Sequence, residues 1–178
     1  GTYTVKIKGI GNYSGDTTVK YTVNAQQSYK ATAAAKTYNA KNQTTKVTVK
    51  YGNTVLKRGT DYKITGVTRA KNAGKYKVTV KGINNYKGTK TIYYTINKAA
   101  QKSVKVKVNA SKKKITVSGV KAKAKVTYKS ANKKVKVKNG KITVGKGVKK
   151  GTKVRITVKV AATKNYKAYS KSIIYKVK

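Results

Sequence analysis

The chain has no cysteine, histidine, methionine, tryptophan, phenylalanine, proline or glutamate. Each absence excludes something. Without cysteine there is no disulfide framework and no thiolate metal site, although secretion remains open. Without histidine, and with Asp16 and Asp61 as its two acids, the chain has no cluster able to hold a metal ion. Catalytic carboxylates usually work as a pair at a fixed distance, and these two lie in different repeats. Serine and lysine are present without a signature spacing, and the glycines are scattered turn formers, not a phosphate loop opening a helix. The expectation is a chain that is not an enzyme and needs no cofactor. Leucine occurs once, at Leu56, so the core must come from Val, Ile, Ala and Tyr, with Thr at its margins. Such residues suit strands. They bury less area each than Phe or Leu, so each domain should be only moderately stable unless neighbours help. Seven missing residue types is the bias of a repetitive, low-complexity parent, or of an engineered or inferred sequence.

No apolar run approaches the roughly 20 residues that cross a bilayer, so no membrane span is expected. No stretch reads as a signal peptide. What dominates instead is positive charge. Lys and Arg number 45 against two acids, a net charge of +43 over 178 residues.

The second strong feature is a repeat. Residues 1–24, GTYTVKIKGIGNYSGDTTVKYTVN, align without a gap to residues 74–97, GKYKVTVKGINNYKGTKTIYYTIN, at an offset of 73. Thirteen of the 24 positions are identical, among them Tyr3/Tyr76, Val5/Val78, Gly9/Gly82, Asn12/Asn85, Tyr13/Tyr86, Gly15/Gly88 and Tyr21/Tyr94. A match of this kind marks one structural unit used twice. A looser third copy runs over Lys164–Ala168 and Ser170–Lys178. Because residue 1 falls inside a repeat, the chain reads as a piece of something longer, with any targeting segment outside it.

Alternation of apolar and polar residues gives strands throughout. In residues 1–24, Tyr3, Val5 and Ile7 share one face, Gly9–Asp16 connects, and Thr17–Val23 is the second strand. In residues 25–97 the expected strands are Ala25–Ala35, Lys46–Tyr51, Thr54–Leu56, Tyr62–Thr65 and the repeated hairpin, about seven in all. Gly52-Asn53, Arg58–Asp61 and Asn72–Gly74 punctuate them. In residues 98–178, Val104–Val108, Lys114–Ser118, Lys125–Lys129, Val135–Val137, Lys153–Val160 and Ser172–Val177 read as strands, with Asn139-Gly140 as a tight turn. No helix is expected. Many short strands with closely spaced turns are the pattern of a β-sandwich. The register predicts Val78, Val80, Ile92 or Tyr94, and Ile96 buried, with Lys77 and Lys81 exposed. By the same pattern Tyr3, Val5, Ile7, Val19, Tyr21 and Val23 face inward, towards strands that residues 1–24 do not contain.

Lys57-Arg58-Gly59-Thr60-Asp61-Tyr62, Asn72-Ala73-Gly74, Val80-Lys81-Gly82 and Asn85-Tyr86-Lys87-Gly88 resemble a tandem immunoglobulin-like repeat of Gram-positive cell-surface proteins. Lys125–Val135, KVTYKSANKKV, followed by Asn139-Gly140-Lys141-Ile142, is similar to the group 2 bacterial immunoglobulin-like domain. The resemblance covers nearly the whole chain. It implies all-β, tandem immunoglobulin-like sandwiches: residues 1–24 the terminal hairpin of a truncated repeat, 25–97 a full repeat, and 98–178 a group 2-like domain. Members of these families serve as stalks, adhesins and appendages of surface enzymes, so an extracellular location at a bacterial surface follows as an expectation. The lack of proline and of nearly all acids departs from the family pattern. Some surface domains of this kind carry Lys–Asn isopeptide cross-links assisted by a buried acid; the resemblance points to Asp61 as that acid, but nothing in the sequence singles out a Lys–Asn triad around it.

Two readings of the lysines stand side by side. Opposite the valines they form a solvated face that keeps strand edges apart. Alternatively, Lys105, Lys107, Lys112, Lys113, Lys114, Lys133, Lys134, Lys136 and Lys138 bind an anionic cell-wall polymer, an acidic polysaccharide or, non-specifically and at low salt, nucleic acid. Self-association into fibres is a further expectation from the open strand edges. The fifteen tyrosines could stack on bases or sugars, but repeat-equivalent positions favour core-edge roles. Tyr13, Tyr86 and Tyr166 follow Asn in the hairpin connections and are expected to fold back and plug one end of a sandwich. Asp16 and Asp61 are expected to bond their own backbone in turns.

Overall fold

A computed structural model describes residues 2–23 and 27–178 of the chain. Among these residues it is all-β. The strands, in order, are β1 (Thr2–Lys8), β2 (Asp16–Thr22), β3 (Lys30–Ala33), β4 (Lys36–Thr37), β5 (Gln43–Thr44), β6 (Val47–Tyr51), β7 (Thr54–Val55), β8 (Tyr62–Gly66), β9 (Arg69–Ala70), β10 (Gly74–Gly82) and β11 (Thr89–Asn97). They continue as β12 (Lys105–Asn109), β13 (Lys114–Ser118), β14 (Val126–Ser130), β15 (Val135–Lys138), β16 (Lys141–Val144), β17 (Lys153–Val160) and β18 (Tyr169–Lys176). Between Lys30 and Asn97 there are nine strands where about seven were expected. The strands without an expected counterpart are β4, β5 and β9, two residues each and too short to show a period in sequence. The expected strand from Ala25 appears as Lys30–Ala33, and Ala25 itself lies outside the described residues. β18 starts at Tyr169, three residues ahead of the expected Ser172, because Tyr169 pairs with Val160 at the far end of β17.

Two compact units form. The first comprises Gly1–Ala34, Thr44–Arg69 and Lys75–Tyr94. In it β3, β6 and β7 make a three-stranded sheet, and β10 lies between β11 and β8. Tyr29, Val49, Leu56, Tyr62 and Val80, drawn from both sheets and their connections, form the core. Gly52, at φ +55°, makes the turn that brings Thr54 opposite Tyr51. Gly66, at φ +93°, lets β8 close against β10: a Cβ there would lie 2.8 Å from the Lys77 carbonyl oxygen. Within β10 and β11, Val78, Val80, Tyr94 and Ile96 are buried and Ile92 is half-buried, with Lys77 and Lys81 exposed. The expected register is the observed one.

The second unit comprises Ala35–Gln43, Ala70–Gly74 and Thr95–Lys178. Its sheets run β12-β13-β16-β15 and β14-β17-β18. Val106, Ile115, Val135 and Ile142 of the first sheet share one core with Val154, Ile156, Val158, Val160 and Tyr175 of the second. The alternation of β17, KVRITVKV, explains this directly: Val154, Ile156, Val158 and Val160 are all buried, while Lys153, Arg155 and Lys159 are exposed. Asn139 and Gly140, at φ +49° and +81°, form the two-residue turn between β15 and β16. This two-layer packing is compatible with a β-sandwich.

Candidate functional site

The candidate site is the outer face of the β12-β13-β16-β15 sheet in the second unit. Because side chains alternate, burying Val106, Ile115, Val135 and Ile142 forces their neighbours outward. Those neighbours are mostly lysine: Lys105 and Lys107 on β12, Lys114 on β13, Lys141 on β16, and Lys136 and Lys138 on β15. Register sets them in rows. Lys114 pairs with Lys141, and Lys141 pairs with Lys138, so three adjacent strands each place a lysine in one line. Neighbouring strands lie about 4.8 Å apart, so these side chains leave the backbone well inside a Debye length of roughly 8–10 Å. Like charges directly opposite each other oppose pairing. No acid offsets the line, since neither acid of the chain lies in this unit.

The structure places eight of the nine expected contact lysines in three groups. Lys112, Lys113 and Lys114 surround a shallow depression of about 340 Å³ with Asn139 and Lys141. Lys133, Lys136 and Lys138 line a second open depression of about 470 Å³, with Tyr128 and Lys129 at its side. Lys105 and Lys107 extend the outer face along β12. Lys134 lies apart from both depressions, in the connection where its carbonyl accepts from the Gly145 amide at 2.7 Å. Lys141 was not among the expected contacts, although it occupies the middle of the row. Alternation alone marked it as outward, but only register shows that it is central. The turn between β15 and β16 is held by Ile115 donating to the Gly140 carbonyl at 2.7 Å and Ile142 donating to that of Lys113 at 2.8 Å. Gly140 is required there, since a Cβ would meet the Ile115 carbonyl oxygen at 2.4 Å.

Both acids make contacts close by in the chain. The Asp61 carboxylate accepts from the Lys57 backbone amide at 2.7 Å while its own amide donates to the Lys57 carbonyl at 2.8 Å, the expected turn role. Asp16 departs from expectation. It is the first residue of β2, not a turn residue, and its carboxylate lies 2.8 Å from Lys6 Nζ across the hairpin. The hairpin begins pairing at Asp16 opposite Lys8, so the connection ends one residue early and the side chain turns to the nearest cation.

The three Asn-Tyr corners differ. Tyr86 is half-buried, packed against the first unit's core and 6.0 Å from the Tyr51 ring. Tyr166 is half-buried and meets Tyr38 edge-on at 5.4 Å. Tyr13 does not fold back: it is 81% exposed. Both strands of the hairpin that carries it are exposed throughout, and among the described residues no layer covers them for the ring to plug. The Tyr29, Tyr94 and Tyr128 hydroxyls hold their protons above the usual phenol range, in each case chiefly through burial. For Tyr29 a hydrogen bond from the Gly82 amide partly offsets burial. For Tyr94 the neighbouring Tyr76 adds to it.

Among the described residues no group of three or more acids, cysteines or histidines could hold a metal ion, and no helix is long and apolar enough to cross a membrane. Compared with known proteins, the chain matches no family model and no curated sequence.

Proposed function

We propose that the chain is a structural segment of a secreted bacterial cell-surface protein, a stalk, adhesin or fibre built from tandem immunoglobulin-like modules with boundaries near residues 24 and 97, and that it catalyses no reaction. One observation carries this reading. The same backbone clamp opens both later modules. Gln27 donates to the Asn85 carbonyl at 2.7 Å and accepts from the Lys87 amide at 3.1 Å. Ala99 donates to the Asn165 carbonyl at 2.9 Å and accepts from the Lys167 amide at 2.8 Å. A joint reused at each Asn-Tyr corner is what a modular array requires. The test is location: antibodies raised against the chain should label intact cells, and the parent should appear in the cell-wall fraction. Parent protein confined to the cytoplasm overturns the reading.

The lysine row favours a second reading. A polyanion laid across β13, β16 and β15 meets Lys114, Lys141 and Lys138 in turn, so the face serves as a docking strip for teichoic acid or an acidic polysaccharide. Counterion release makes the signature a steep fall of affinity with salt. Teichoic acid titrated at two ionic strengths tests it, and binding that is absent or indifferent to salt rejects it. Duplex DNA binding alone would not establish a nucleic-acid role, because a chain of net charge +43 binds DNA non-specifically.

A further inference from the structure

The molecule contains one hairpin twice, in two different surroundings. In β10–β11, Val78, Val80 and Tyr94 are buried. Their equivalents in β1–β2 stand open, Val5 at 47%, Ile7 at 50% and Tyr21 at 49% exposed, with Tyr3 and Val19 alike. The hairpins themselves match. Tyr3 and Tyr21 stack at 5.5 Å and 23°, Tyr76 and Tyr94 at 5.2 Å and 25°. Gly9 donates to the Gly15 carbonyl at 2.9 Å, as Gly82 does to that of Gly88 at 3.0 Å. Tyr13 donates to the Ile10 carbonyl at 3.3 Å, as Tyr86 does to that of Ile83 at 3.1 Å. The difference is therefore what lies on top.

For β10–β11 the cover is residues 27–66. Gln27 clamps the backbone at Asn85 and Lys87, as above. Two residues on, the Tyr29 hydroxyl enters a socket of three backbone groups. It lies 2.8 Å from the carbonyl oxygens of Val80 and of Gly88, and accepts from the Gly82 amide at 3.0 Å. Glycine is needed at 82 because a Cβ would sit 2.8 Å from the Tyr29 ring. Val49, Leu56 and Tyr62 then pack with Val80, and Ile92 lies against them. Every element of this socket recurs in β1–β2: the carbonyls of Ile7 and Gly15, the amide of Gly9, a glycine at 9, and the Asn12–Ser14 edge. Among the described residues no side chain fills it. Charge also permits an approach here, because residues 2–23 carry Lys6, Lys8 and Lys20 against Asp16, a net +2 on a chain of +43.

We propose that the open face of β1–β2 is a docking site for a polypeptide segment of the 27–66 pattern that is not already folded onto a hairpin of its own. Its tyrosine enters the Ile7–Gly9–Gly15 socket, and the residue two positions earlier clamps Asn12 and Ser14. The occupant is thus the covering half of another module. An intact second copy is not the occupant, since its own 27–66 segment already covers β10–β11. The inference stands on the two hairpins alone and not on the surface location proposed above.

The test mixes the full 178-residue chain with a synthetic polypeptide copying residues 27–66, at moderate salt, and follows amide exchange by mass spectrometry. Exchange over residues 3–22 should slow by at least about tenfold. Burying a hydroxyl-to-backbone hydrogen bond is worth roughly 1 kcal/mol, so a probe with Tyr29→Phe should bind about fivefold or more weakly. The chain variant Val5→Lys with Tyr21→Lys should lose protection over 3–22 while residues 76–96 stay protected. In a second arm, a copy of residues 25–73 is fused ahead of Gly1, which supplies the cover on the same chain whatever the solubility of the free probe. Residues 3–22 should then exchange as slowly as 76–96. Free exchange over 3–22 in the fusion overturns the proposal, as does equal binding of the Phe probe. Protection of 3–22 in the chain alone, rising with concentration, also overturns it by making a second copy the occupant.

Discussion

Among single residues, the tyrosines separate by what their hydroxyls meet. Tyr175 is fully buried and its hydroxyl has no hydrogen-bond partner among the described residues, whereas that of Tyr29 has three. Losing an unpaired buried hydroxyl costs nothing and relieves desolvation, while losing a bonded one strands its partners. Tyr175→Phe should therefore leave stability unchanged or raise it by up to about 1 kcal/mol, and Tyr29→Phe should lower it by about 1–3 kcal/mol, both read by urea denaturation. The same measurement checks the core. Val80→Ala should cost about 1–4 kcal/mol, because Val80 is completely buried, and Lys81→Ala should change little. The raised phenol values of Tyr29, Tyr94 and Tyr128 carry a sign. Each binds its proton more tightly folded than unfolded, so its contribution is intact below the ordinary phenol value of 10.0 and is lost as pH rises past it. A pH titration of tyrosine absorbance should show these phenols ionising late, and stability should fall on that limb.

Strands and turns show how far local pattern reaches. β13 and β17 occupy the residues that alternation assigned, because each buries one clean apolar row. The Asn139-Gly140 turn was legible because its backbone geometry admits few residue pairs. β4 and β9 were not legible, since two residues carry no period, and they pair because neighbouring strands hold them there. The lysine row was half legible. Outward lysines follow from alternation, but their alignment over three strands depends on register across residues 114, 138 and 141, which local sequence does not encode. Tyr13 was misread for a related reason: plugging needs a cover, and the cover is a property of another segment. In the row, Lys141→Thr should raise thermal stability by removing the central of three facing charges, and should reduce the salt slope of polyanion binding by about one contact's worth, near 0.9 for duplex DNA. A slope unchanged by this substitution places binding elsewhere.

For the whole molecule, charge sets the conditions. With 45 cations and two acids, folding concentrates like charge, and added salt should raise the melting temperature of the full chain, as calorimetry at two ionic strengths would show. The clamp at Ala99 has a further consequence, in the response to force. Ala99 is bonded beside Tyr166, just ahead of β18, and the chain leaves at Val177, beyond the other end of that strand. Eight residues of β18 separate these points, about 26 Å. Tension applied through residues 98 and 178 thus runs lengthwise along β18 and strains its whole ladder with β17 at once. Tension applied through Lys153 and Lys176, which face each other at one end, would peel that ladder bond by bond. The absence of native cysteine allows thiol handles at chosen positions, and pulling through residues 98 and 178 should demand a clearly higher rupture force than pulling through 153 and 176.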